Sequence, residues 1–121
     1  MDNIYYGPDA SAVRKINELL SIKATSREQD WELEFADFGA IDKMLNLLES
    51  HPLDAEARTA LSLLIISSFE LGFDEGLVDD YSLLRASELL KNDLNVLEKM
   101  RFYWLNLGRS NFPELMKKLL C

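Results

Sequence analysis

The chain has 121 residues, 48% hydrophobic and 28% charged, the make-up of a globular domain long enough to bury roughly two-thirds of its unfolded surface. Its 21 acids outnumber 13 bases, and a net charge of −8 argues against nucleic acid and anionic membrane as partners, since both reward basic patches. The only cysteine is Cys121, no signal-peptide pattern follows Met1, and the most apolar run is Ala60–Phe69; a single soluble, cytoplasmic domain over 1–121 without internal disulfides is expected.

Gly7-Pro8 precedes a periodic segment with Val13, Ile16, Leu19 and Leu20, which predicts a first helix near 8–24. Ser26-Arg27-Glu28-Gln29 fits a capping box, in which serine and glutamine side chains satisfy free amides at a helix start. The next residues, Trp31 to Phe35, alternate as a strand would. Helix is preferred, because the cap and the first-turn acids suit one and no second strand exists for pairing. On that helix Trp31, Phe35 and Phe38 form one stripe, with Asp30, Glu34 and Asp37 in another beside it.

A third helix is predicted from about Gly39 to Ser50, with Ile41, Met44, Leu45 and Leu48 inward and His51-Pro52 as its stop. Asp54 caps the most apolar segment, Ala57–Leu71, which ends at Gly72 and should be the buried centre of the domain. Phe73–Asp79 reads as a loop. Asp80 then caps a helix to about Lys91, and Asp93 caps another to Leu107, closed by Gly108. Pro113 opens a last helix carrying Leu115, Met116, Leu119 and Leu120. Six to seven short helices make a compact all-α domain. Their paired rhythm resembles HEAT-like solenoids, although no self-similar period is visible.

Chemistry-bearing motifs are few. His51 lies before a proline and reads as a solvated helix-end residue. One histidine and a terminal cysteine form no zinc set. Ser62, Ser67 and Ser68 lie on the apolar helix, where a hydroxyl usually bonds back to the backbone, and none has a nucleophile's Gly-x-Ser-x-Gly setting. Gly72 to Gly76 has neither the lysine nor the strand of a phosphate loop, and Asp74 to Asp80 lacks the EF-hand order. Tyr103 and Trp104 near Lys99 and Arg101 could suggest base stacking, but Leu97, Met100, Trp104 and Leu107 fall at core spacing. No catalytic residue, cofactor or metal is assigned, and a binding protein is expected in preference to an enzyme.

What remains is the segregation of charge. Residues 1–84 hold 17 acids against 6 bases, a net of −11, while residues 85–121 hold 4 against 7, a net of +3. The acids concentrate in Glu28, Asp30, Glu32, Glu34 and Asp37, and in Glu70, Asp74, Glu75, Asp79 and Asp80. Like pairs one helical turn apart lose ~0.2–0.5 kcal/mol each, while a first-turn acid gains about 0.3–1 kcal/mol from the helix dipole, so the net penalty is modest. Asp30, Glu34, Asp37, Glu70, Asp74, Glu75, Asp79 and Asp80 are the candidate partner-binding residues, with the 70–80 segment the stronger candidate. Trp31 and Phe35 border the acids and are expected in the core.

Ala24 to Asp37, Ile41 to Glu49 and the Leu53–Glu70 helix together resemble bacterial immunity proteins of polymorphic or contact-dependent growth-inhibition toxins. The resemblance covers roughly residues 24–71. It implies an all-α cytoplasmic protein that binds a cognate toxin, many of which are nucleases with basic grooves, and blocks its active site or its access to target. No binding residues carry over, because immunity surfaces vary with the toxin they match. The alternative is a helical scaffold or adaptor that binds a basic cellular protein with no toxin involved.

Overall fold

The computed structural model describes residues 4–23 and 30–121. Among the described residues there are seven α-helices and no strand: α1 Ala10–Leu20, α2 Trp31–Glu34, α3 Ile41–Ser50, α4 Ala55–Asp74, α5 Asp80–Lys91, α6 Leu94–Arg101 and α7 Pro113–Leu120. A 3₁₀ turn, Phe38–Ala40, leads into α3, and a π turn, Phe102–Asn106, follows α6.

Aspartates start four of the helices. The side chains of Asp9, Asp54, Asp79 and Asp93 accept from the amides of Ala12, Ala57, Ser82 and Val96 at 2.7, 2.8, 2.6 and 3.3 Å. Each satisfies one of the amides a helix start leaves free. The cap of α5 is therefore Asp79 and not Asp80, which is the first helical residue. Pro113 opens α7 as expected, since its missing N–H would have no partner there.

Boundaries differ from expectation, beginning with α1, which spans Ala10–Leu20 and not 8–24. The capping box at Ser26–Gln29 lies outside the described residues. The stripe of Trp31, Phe35 and Phe38 is not one helix face, because α2 ends at Glu34 and Asp37 is extended, with φ −154°. And α4 passes through Gly72 to Asp74, leaving a loop of only 75–79.

A glycine stands inside the last turn of α4 because a Cβ at Gly72 would lie 2.5 Å from Cγ of Phe38, whose ring packs on Phe69. The stop is Gly76 instead. It takes the left-handed φ of +73°, its amide bonds the carbonyl of Phe73, and the amide of Leu77 bonds that of Gly72 at 2.8 Å. These are the two bonds of a Schellman motif.

Residues 61–70 of α4 are all buried, and α1, α2, α3, α6 and α7 all pack against this helix. At ~1.5–3 kcal/mol per fully buried large side chain, α4 dominates the core. A solenoid's helix pairs would touch only their neighbours; here the helices surround one buried member. Trp31, Tyr103 and Trp104 join this core, as do Met100 and Leu97. The α4 serines do not follow the back-bonding expectation. Ser68 Oγ accepts from the amide of Asp37 at 3.0 Å, while the hydroxyls of Ser62 and Ser67 are buried with no hydrogen-bond partner. No described helix is long and apolar enough to cross a membrane.

Candidate functional site

Residues from both acid-rich stretches, some forty positions apart, line one open groove of about 410 Å³, its carboxylates being Glu70 and Asp74 of the second stretch. One wall is α2 and the residues just after it, with Leu33 and Ala36; the other is the segment before α7, with Asn111 and Phe112. The floor is a single face of α4, where Ser67, Glu70, Leu71 and Asp74 follow at i, i+3, i+4 and i+7. Leu33 is 57% exposed and Leu71 39%, so the groove presents apolar surface to solvent between charged neighbours. Phe73 extends that surface, its ring tilted against Phe112 at 5.1 Å.

The segment before α7 is held in place by Glu70. This side chain is only 6% exposed, and its carboxylate accepts from the Ser110 hydroxyl at 2.7 Å and the Asn111 amide at 3.1 Å. Ser110 Oγ in turn accepts from the Phe112 amide at 3.0 Å. Glu70, a candidate partner-binding residue, is thus a largely buried floor and tether of the groove and not a solvated surface acid.

The other seven candidates are exposed. Asp74 lines the groove, and Glu34 and Asp37 adjoin the lining residues Leu33 and Ala36 in the chain. Asp37 also accepts from the Gly39 amide at 2.9 Å. Glu75 stands at the end of α4, while Asp79 and Asp80 begin α5. Asp30 precedes α2 and makes no capping bond. Among the described residues the two ion pairs are Arg58–Asp93 and Arg85–Glu49, so neither involves any of these seven acids.

Glu32, counted with the first stretch, points the other way. It is 4% exposed and accepts from the Tyr103 hydroxyl. Burial, and then the hydrogen bond to Glu32, hold the Tyr103 phenol above its usual value, opposed by Arg109, whose guanidinium stands 5.1 Å over the ring. Tyr5 is raised as well, chiefly by burial and next by the Glu32 charge. Beside them Trp31 Nε1 donates to Asn17 Oδ1 at 2.9 Å. This cluster anchors α2 to the core and so fixes where Leu33 stands.

The sequence reading did not single out Leu33, Asn111 or Phe112, and weighed Ser67 only as a nucleophile. Leu33 carried a signal, being an apolar residue off the Trp31 stripe. The α4 face of Ser67 was hidden, because apolar residues surround that helix on all sides. A second exposed apolar set is Leu77 in the 75–79 turn with Tyr81 and Leu84 at i and i+3 on α5, beside Asp80. His51 is exposed at the end of α3, and Cys121 is exposed as well. No three His, Cys, Asp or Glu side chains among the described residues converge to hold a metal ion. No family model, curated protein or solved structure matches this chain, so its surface chemistry is what speaks to its role.

Proposed function

We propose that the chain is an immunity protein that binds a cognate toxin, a nuclease domain with a basic substrate groove, through the acidic face around the α2–α4 groove. The observation that carries this reading is the position of Asp74 and Glu75. They lie at the C-terminal end of α4, where the helix dipole is already negative, so their charges work against the fold. Neither has a basic partner among the described residues. A cationic partner would relieve both penalties at once.

A nuclease must offer lysine and arginine to phosphate, and an acidic face can occupy that groove in the substrate's place. Complementary charge lifts association above the usual ~10⁵–10⁶ M⁻¹s⁻¹. Charge alone is promiscuous, and Leu33, Leu71 and Phe112 supply apolar anchors among the acids. A stable complex buries about 800 Å² on each partner, more than the groove alone, so the footprint extends along α2 and onto the 75–79 turn.

The test is co-expression with the toxin domain encoded by the adjacent gene. Restored growth and a one-to-one complex on a sizing column are expected. Full toxicity with no complex would remove the reading.

A further inference from the structure

We infer that the α2–α4 groove is a slot for an arginine side chain of the partner protein. The assignment deepens the proposed function and rests on its reading of this face as the one that meets a basic partner. Three features of the groove converge on that chemistry.

First, the lining residues are two carboxylates, a hydroxyl, an amide side chain and apolar groups, with no cation among them. Second, the apolar and polar parts are ordered as an arginine requires. Leu33, Leu71 and Phe112 offer walls for the three-methylene stem, and Asp74 and Glu70 offer acceptors for the head. Third, Ser67 is 2% exposed and lines the groove, yet its hydroxyl bonds to nothing. An unmade hydrogen bond on a buried hydroxyl is a cost to the fold that alanine would avoid. A donor reaching the groove floor gives that hydroxyl its missing partner.

Arginine suits the slot better than lysine. Its planar fork can serve two carboxylates and a hydroxyl at once, and its weaker hydration lets it enter a partly buried site. Two bonds already made to Glu70 leave lone pairs on its carboxylate for a further donor.

The probes are N-acetyl-arginine amide, its lysine counterpart and the neutral citrulline isostere, titrated into the ¹⁵N-labelled chain. The arginine compound should give saturable shifts at the amides of Ser67, Leu71, Asp74 and Asn111. The lysine compound should bind roughly tenfold more weakly, lacking the fork, and citrulline should leave those amides unmoved. Asp74→Asn and Ser67→Ala should each weaken arginine binding about threefold or more, by loss of a charged and a neutral hydrogen bond. Ser67→Ala should melt no lower than the parent, so its loss of binding is not unfolding. Equal shifts from citrulline or lysine, shifts centred on Asp79 and Asp80, or unchanged affinity in Asp74→Asn would each overturn the slot.

Unchanged toxin affinity in both variants would refute the slot while leaving the immunity reading intact. Specific arginine binding in a chain that fails to bind the toxin would uphold the slot and refute that reading.

Discussion

Tyr5 and Tyr103 pack edge to face with ring centroids 5.9 Å apart, and both are buried, but only Tyr103 has its hydroxyl bonded. The two phenols should therefore respond oppositely to the same change. Tyr103→Phe leaves the buried Glu32 carboxylate without that donor and should destabilise by about 1–3 kcal/mol, whereas Tyr5→Phe removes an unpaired hydroxyl and should be neutral or stabilising; denaturant midpoints of the two variants decide this. The pair also sets an alkaline limit. Burial, followed by the influence of Glu32, raises both phenols above the ordinary value of 10.0. Above that pH the unfolded chain loses protons that the folded chain keeps, so stability present below it falls as pH rises. Melting curves between about pH 9 and 11 should show this loss, and it should be smaller in the Tyr5→Phe/Tyr103→Phe variant. Glu32 and Glu70 looked like surface acids in the sequence because their partners, Tyr103 and Ser110, lie 71 and 40 positions away. Local spacing carries no trace of such pairs.

The caps Asp54 and Asp93 were legible because a helix start leaves free amides that only a nearby acceptor can satisfy, while Asp9 was passed over for Gly7-Pro8. Choosing between adjacent aspartates was not, since Asp79 and Asp80 differ only in backbone angle. The distinction has a measurable consequence. Asp79→Ala should cost about 0.5–2 kcal/mol through its lost bond to the Ser82 amide. Asp74→Asn removes a charge from the negative end of α4 and should be neutral or stabilising by up to ~1 kcal/mol. Gly72 misled for a similar reason. Its helical position follows from the Phe38 ring, and only the tertiary fold reveals that ring. Gly72→Ala should destabilise by about 1–3 kcal/mol in a thermal melt, and adding Phe38→Ala should recover part of the loss by clearing the clash.

The molecule as a whole separates acids that hold it together from acids it merely carries. Glu32, Glu70 and the caps belong to the first group; Asp30, Glu34, Asp74, Glu75 and Asp80 belong to the second. The all-α architecture was legible in the turn residues and in the apolar α4, and the groove was not, because it forms only where α2, α4 and the 110–112 segment meet. That convergence brings Leu33 and Ala36 of the first acid stretch beside Glu70 and Asp74 of the second. The face should act first on encounter, since its charges are unpaired and within a screening length of solvent-borne partners, ~10 Å at 0.1 M salt. For the proposed function, the deciding measurement is the association rate of the chain with a candidate toxin domain at low and high salt, for the parent and for Asp30→Asn/Glu34→Gln/Asp74→Asn. The variant should associate about tenfold more slowly at low salt with a flatter salt dependence; an unchanged rate, in a complex that still forms, would contradict the acidic groove as the partner-facing surface.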